Sequence, residues 1–395
     1  MPLSLSPKQR DYWMHAKHRW NIKAGATRSG KTYLDYYVIP KRIRAVAGKD
    51  GLVVILGNTR GTLQRNIIEP LQKIWGAELV SDIKSDNTAK LFGERCYCIG
   101  ADKINQVNRI RGSSIKYCYG DEIVTWHEDV FNMLKSRMDK AYSRFDGTCN
   151  PDSPGHWFKR FLESGADIYH QHYTIDDNPF LAPEFVVNLK REYAGTVFYD
   201  RFILGRWALA QGLVYPMFDA ARHVYATPPW TDDYGEYYIS VDYGTLNPTS
   251  MGIWRIYEGR AYRMAEYYYS GRDTKQHLTD EEYYVQLERL AGDKTIQSVI
   301  VDPSAASFIT TIRRHGRFTV RQANNAVLDG IRYTATALNS GRIMIHASCK
   351  AIIKELAGYC WDSKAGEDKP IKVNDHAADD LRYFVMTVLR RQLYV

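Results

Sequence analysis

Apolar and polar positions along the chain fall into two rhythms, a strand–helix alternation in the first half and a run of alternating strands in the second. Trp20–Ala24 is a short strand-like run, followed by a glycine-rich stretch and a helix-like segment. Ile115, Tyr117 and Tyr119 alternate along a β-rich run that ends in Asp121-Glu122, and Lys116 within it predicts a partly exposed strand. Residues 145–157 read as a strand end followed by turns. Residues 176–219 open on turn chemistry and continue as one or two short amphipathic helices. Phe185, Leu189, Tyr193 and Phe198 there predict a small packed core. From residue 236 a strand ends at Asp242, a turn runs through Gly244–Pro248, and two antiparallel strands follow. A helix over "TDEEYYVQLERLAG" precedes a buried strand that ends at Asp302. "RFTVRQAN" predicts another strand, and two helical patterns flank "RIMIH". A last helix carries "HAADDLRYF", with Leu381, Phe384, Val385 and Val388 as its buried stripe.

A chain of 395 residues is too long for one ordinary core, so two domains are the default. The pattern divides it into an α/β domain over 1–175, a lid or linker over 176–230 and a second domain over 231–395. The net charge of +8 points weakly to a polyanionic partner. Cys96, Cys98, Cys118, Cys149, Cys349 and Cys360 form no CxxC pair and read as reduced thiols. Cys96-x-Cys98 on a strand would face one side, but a zinc site needs two more ligands and none is nearby in sequence. No apolar run is long enough for a membrane span, and the N-terminal stretch has no secretory h-region.

Gly25-Ala-Thr-Arg-Ser-Gly30-Lys31-Thr32 fits the phosphate-binding pattern G-x-x-x-x-G-K-[ST] between a strand and a helix. Gly25, Arg28, Ser29 and Gly30 would form the loop, its amides facing the phosphates of ATP. Lys31 would reach the β- and γ-phosphates and Thr32 would hold Mg²⁺. Asp121 would order the Mg²⁺ shell, and Glu122 would act as general base on the attacking water. The bland alternative, a strand end with two surface acids, weakens once this pair accompanies the loop. Gln9 is a candidate reader of the adenine edge, with a plain surface glutamine as the rival reading. Arg111, Arg109 and Arg28 compete for the role of arginine finger. Thr148 and Asn150, at a polar strand end, are candidates for coupling hydrolysis to movement, against a plain turn.

In the second half, Asp242 and Asp302 end two strands, and a late helix brings His376, Asp379 and Asp380. Carboxylates converging on two divalent ions, Mg²⁺ or Mn²⁺, suit phosphodiester cleavage. The pattern resembles a ribonuclease-H-like nuclease with a mixed sheet. Helix-dipole preference for acids in a first turn explains one or two of Asp375, Asp379 and Asp380, but not Asp242 and Asp302. Periodicity leaves Asp379 and Asp380 level, because both border the apolar stripe.

Taken together, Gly25–Thr32, Tyr119–Glu122, "GTCNP" at 147–151, "SVDYG" at 240–244, "VDPS" at 301–304 and "HAADDLRY" at 376–383 resemble the large terminase subunit of tailed bacteriophages, and within it the PBSX-like group. The resemblance implies an N-terminal P-loop (ASCE/RecA-like) ATPase with a mainly parallel sheet and a ribonuclease-H-like nuclease after it. It implies ATP-driven movement of double-stranded DNA into a procapsid and cutting of the DNA concatemer. Asp121 and Glu122 become the Walker B pair, Arg111 the finger supplied in trans, and Asp242, Asp302 and Asp379 the nuclease metal ligands with His376 assisting. The family's spacing favours Asp379 over Asp380, although a small residue usually follows that Asp in the family. Implied partners are double-stranded DNA, a portal protein, a small terminase subunit and a homo-oligomeric ring of about five copies. The resemblance also allows a monomer in isolation, and it implies the host cytoplasm with transient docking on the portal. The rival reading is an ATP-dependent helicase–nuclease or resolvase of DNA repair or recombination. A helicase needs motifs for a second RecA-like lobe, which the sequence lacks.

Overall fold

The computed structural model describes residues 4–103, 112–232, 234–244, 247–274 and 276–391. The chain forms two compact units, one of residues 1–186 with 199–209 and the other of 187–198 with 210–395. The stretch 176–230 is thus divided between the two rather than forming a third. Among the described residues no helix is long and apolar enough to cross a membrane.

The first unit is built on β1 (Trp20–Gly25), β2 (Leu52–Gly57), β3 (Thr88–Leu91), β4 (Glu94–Gly100), β5 (Ile115–Gly120), β6 (Arg144–Cys149) and β7 (Ile168–Tyr173). Their order is β3-β4-β2-β5-β6-β1-β7. Among the described residues only the β3–β4 pair of these strands is antiparallel. A mainly parallel sheet is covered on both faces, and so its strands are buried almost throughout. Trp20, Ile22, Val54, Leu56, Cys118 and Phe145 pack on one side against Phe131 and Leu134 of the helix Glu128–Arg137. Val53, Ile55, Cys96, Cys98, Tyr117 and Tyr119 pack on the other with Ile39 and Ile43 of the helix Lys31–Ala45. Burial pushes the Cys98 thiol up to about 12, so it stays a protonated apolar group.

Lys116 corrects the expectation of a partly exposed β5. Every residue of that strand is buried, and Lys116 is kept in the interior by its ammonium lying 2.9 Å from the Glu94 carboxylate and 3.0 Å from Lys49 O. A buried charge is tolerated where it is paired and hydrogen-bonded.

The second unit contains β8 (Val224–Tyr225), β9 (Glu236–Asp242), β10 (Thr249–Tyr257), β11 (Arg260–Tyr269), β12 (Ile296–Val301), β13 (Val320–Gln322) and β14 (Ile343–His346). The order is β13-β12-β9-β10-β11-β14-β8. The pairs β9–β10 and β10–β11 are antiparallel, while β12 joins β9 and β14 joins β11 in parallel, giving a mixed sheet. Alternation along β9 sends Ile239 and Val241 into a core with Leu287 of the helix Asp280–Ala291 and Phe308 of the helix Ala306–His315. Ser240 and Asp242 face the opposite side, where the helix His376–Thr387 lies. Phe384 of that helix stacks on Trp254 of β10, with ring centroids 4.4 Å apart. The helix is buried at every position from Ala377 to Met386 rather than along the expected stripe, and Val388 is only half-buried. Of the four positions expected in the linker core, Leu189, Tyr193 and Phe198 are buried and Phe185 is exposed.

Candidate active sites

Strand direction in the first unit brings the C-terminal ends of β1, β5 and β6 to one edge, where Gly25–Thr32, Asp121-Glu122 and Thr148–Asn150 meet. This is the edge at which parallel α/β sheets bind ligands. A cavity of about 610 Å³ lies there, lined by Arg28, Ser29, Gly30, Lys31, Thr32 and the two acids among others. Two glycines of the loop are required by geometry. A Cβ on Gly25 would lie 2.0 Å from Tyr173 O of β7, and Gly30 has φ +85°.

The Lys31 ammonium is buried at the base of the loop. It donates to Gly25 O at 3.0 Å, to Ala26 O, to Ser29 Oγ and to Asn150 Oδ1 at 3.2 Å. Burial lowers its pKa to about 8. Opposite it, burial, with the charge of Glu122 next, raises Asp121 to about 7. Thr148 Oγ1 donates to Asp121 Oδ1 at 3.1 Å. One strand end therefore contacts two opposite charges of the cleft, Thr148 the Asp121 carboxylate and Asn150 the Lys31 ammonium. Glu122 sits in the left-handed region with φ +50°, an uncommon position for a residue with a side chain.

Gln9 does not line this cavity. Its Oε1 accepts from Ser6 N at 2.8 Å and its Nε2 donates to Gly30 O at 2.9 Å. It is a buried brace between the helix Pro7–His15 and the loop, because a capping box commits its amide to Ser6. Arg109 and Arg111 lie outside the described residues. Arg28 lines the cavity, and so does Arg65, a cation that the sequence reading missed. Arg65 belongs to a π-helical stretch, Gln64–Ile68, and no local sequence signal marks it.

In the second unit, β9 and β12 are in parallel register with Val241 beside Val301, so Asp242 and Asp302 emerge side by side at the strand ends. His376 Nδ1 lies 2.8 Å from Asp242 Oδ2, and the Tyr383 hydroxyl donates to Asp242 Oδ1 at 3.3 Å. Burial raises the Asp242 carboxyl above its ordinary range. For Asp302 burial is outweighed by hydrogen bonds from Ser304, Tyr383 and Asn325, which hold it below that range. His376 is raised, because its bond to Asp242 and the charges of Asp242, Asp375 and Glu355 exceed the cost of its burial.

The two adjacent acids of the last helix have separate environments. Asp380 is fully buried and paired with Arg263, whose Nη2 is 3.0 Å from Oδ2, while Ser240 and Ser250 donate to the same carboxylate. Asp379 instead lines a cavity of about 400 Å³ together with Asp242, Asp375 and His376. Its Oδ2 lies 3.0 Å from Lys372 Nζ and its Oδ1 lies 2.9 Å from Arg382 Nη2. Asp302 is not among the residues lining that cavity. Among the described residues no three His, Cys, Asp or Glu side chains are grouped to enclose an ion as they stand. The donor set is nonetheless oxygen-rich and suits a hard divalent cation. Lys372 and Arg382 hold Asp379, and His376 holds Asp242.

Two exposed arginines of the second unit are engaged in ion pairs. Arg314 pairs with Glu281 and Arg317 with Glu288 on the helix Asp280–Ala291.

Comparison with known proteins bears on both clefts. Residues 23–222 match the family model described as the terminase large subunit, T4likevirus-type, N-terminal. The terminase large subunit of Escherichia phage T5 is 24% identical over 397 residues, covering 95% of this chain and 88% of that protein. The solved large terminase of a thermophilic bacteriophage matches at 37% identity with a TM-score of 0.89, covering 98% of this chain and 100% of that one. The same thermophilic phage protein in complex with ATP-γ-S matches at 38% identity with a TM-score of 0.86, with the same coverage. The chain belongs to the family of phage large terminase subunits, the ATPase and nuclease proteins of viral DNA packaging.

Proposed function

We propose that this chain uses ATP hydrolysis to move double-stranded viral DNA into a procapsid and cuts the DNA concatemer with a metal-dependent endonuclease. The observation that carries the reading is a pair of clefts in one terminase chain, one lined by phosphate-binding backbone and the other by carboxylates. In the first, a P-loop ATPase cleft, the loop Gly25–Gly30 cradles the phosphates and Lys31 leaves its carbonyl partners for them. Thr32 and Asp121, which both line the cavity, would hold Mg²⁺. Glu122 accepts the proton of the attacking water, and Thr148 and Asn150 transmit the change of phosphate state along β6. The thermophilic phage relative's complexes with ADP and with ATP-γ-S support the same nucleotide here. A finger from Arg111 or Arg109 of a neighbouring copy, or Arg28 in cis, stabilises the transferred phosphoryl.

The second cleft is read as ribonuclease-H-like. Asp242, Asp302 and Asp379 are the residues that would hold the nuclease ions. Two divalent cations, Mg²⁺ or Mn²⁺, would supply water activation and stabilisation of the leaving oxygen when bound. His376 orients the Asp242 carboxylate through their bond, and Tyr383 spans the Asp242 and Asp302 side. The proposed partners are duplex DNA, the portal, a small terminase subunit and further copies of this chain in a ring on the procapsid, in the host cytoplasm.

The test is a reconstitution with procapsids carrying portal, duplex DNA and ATP, alongside Mn²⁺-dependent nicking of a plasmid by the purified chain. The reading requires DNA protected from nuclease only when ATP is present, and plasmid cleavage that EDTA abolishes. Cleavage unaffected by EDTA, or protection without ATP, contradicts it.

A further inference from the structure

Asp375 precedes the last helix at its N-cap position, yet its side chain makes no capping hydrogen bond. The residue is 4% exposed and lines the carboxylate cavity, and its Oδ2 faces a lysine. Lys372 Nζ stands 3.1 Å from that oxygen and, at the same time, 3.0 Å from Asp379 Oδ2. One ammonium thus bridges two nearly buried carboxylates at the wall of the cleft. Two such acids side by side repel one another, and a cation between them relieves the cost.

The two cations near Asp379 differ in how they are held. The Arg382 side chain is 3% exposed and also donates to Asn325 O at 2.8 Å, so it is fixed in the fold. The Lys372 side chain is 54% exposed. It rises from a segment in which Ile371 and Val373 face solvent and Asn374 has φ +52°. Its ammonium is held by the two carboxylates and has open solvent to withdraw into.

We propose that Lys372 is a built-in place-holder in a cation seat formed by Asp375 and Asp379, that a divalent ion must displace it, and that Asp375 is thereby a further metal carboxylate of this cleft. A tethered +1 charge competes with the entering ion, so the lysine weakens metal affinity and raises the concentration at which the cleft loads. It also keeps the acids compensated while no ion is bound. The inference rests on the reading of this cleft as metal-dependent.

The experiment is calorimetric titration of the full chain with MnCl₂, without DNA and without nucleotide, so that the first cleft has no phosphate to share an ion with. Lys372→Met is expected to bind Mn²⁺ about tenfold tighter than the unaltered chain, the size expected from removing one like charge at contact distance. Lys372→Arg, which keeps the charge, is expected to stay close to the unaltered chain. Asp375→Asn is expected to weaken binding about tenfold, with a thermal unfolding midpoint showing that it folds. Unchanged or weaker binding in Lys372→Met overturns the place-holder, and unchanged binding in Asp375→Asn overturns its role as a ligand. Absence of Mn²⁺ binding in both the unaltered chain and Lys372→Met overturns the metal-dependent reading of the cleft itself.

Discussion

The two clefts solve opposite electrostatic problems with opposite materials. The first holds a lysine among backbone carbonyls and keeps its acids to one side, with burial raising Asp121 to about 7. It is shaped to take an anion. The second gathers carboxylates from the end of β9 and from the start of the last helix, and neutralises them with Lys372, Arg382 and His376. It is rich in acid oxygens, and its own basic side chains lie against them. A local loop suffices for the first because backbone amides supply most of the binding groups. The second needs side-chain charge from segments distant in sequence, so the fold must bring them together.

If the first cleft works through its acids, Glu122→Gln gives the largest effect. ATP turnover should fall on the order of a hundredfold to ten-thousandfold, because an amide cannot take the proton of water. Nucleotide binding, followed by fluorescent-ATP titration, should remain. Equal loss of binding and turnover would put Glu122 in the binding shell instead.

The second cleft separates structure from chemistry at neighbouring positions. Asp380→Ala leaves Arg263 buried without its carboxylate and should cost about 3–5 kcal/mol of stability, read by urea unfolding. Asp379→Ala should abolish Mn²⁺-dependent cleavage in a chain that still folds, since Arg382 keeps its bond to Asn325 O. A stable Asp380→Ala that cannot cut would reverse the assignment.

A smaller effect concerns Glu355, which accepts from Ala378 N at 2.9 Å and so fixes the start of the last helix. Burial raises its carboxyl to about 7. The folded chain therefore binds more protons than the unfolded chain between the ordinary glutamate range and about pH 7, and stability falls as pH rises through that window. The loss is at most about 3 kcal/mol. Urea unfolding at about pH 5 and pH 8 should show a smaller difference in Glu355→Gln than in the unaltered chain.

The smallest effect distinguishes two roles for Gln9. Gln9→Ala should lower stability by about 1 kcal/mol through loss of the capping box and the bond to Gly30. As a brace, Gln9 predicts unchanged preference for ATP over GTP. Loss of that preference would restore the adenine-reading role.

The legible parts of the fold were those written in short stretches. Gly25–Thr32 announced itself because phosphate binding needs glycine where backbone must curl and approach, and β7 does press on Gly25. A strand-like run before Asp242 and a buried apolar run before Asp302 were enough to put both acids at strand ends. The Asp379–Asp380 tie could not be broken locally, since a helix buried at every turn has no polar face to count from. What separates their surroundings is Arg263 of β11, more than a hundred residues earlier, which pairs with Asp380. Lys116 misled for the same reason, because its partner Glu94 lies on another strand. Arg65, Asp375 and Lys372 carried no motif; only the folded cavities mark them.

The central claim is that one chain carries two chemically independent clefts. It is tested most directly by assaying ATP hydrolysis and Mn²⁺-dependent plasmid cleavage on the same preparations of Lys31→Ala and Asp379→Ala. Crossed losses are expected. Lys31→Ala should lose ATP turnover on the order of a thousandfold or more and still cut DNA, while Asp379→Ala should hydrolyse ATP and not cut. Loss of both activities in either folded variant would contradict it.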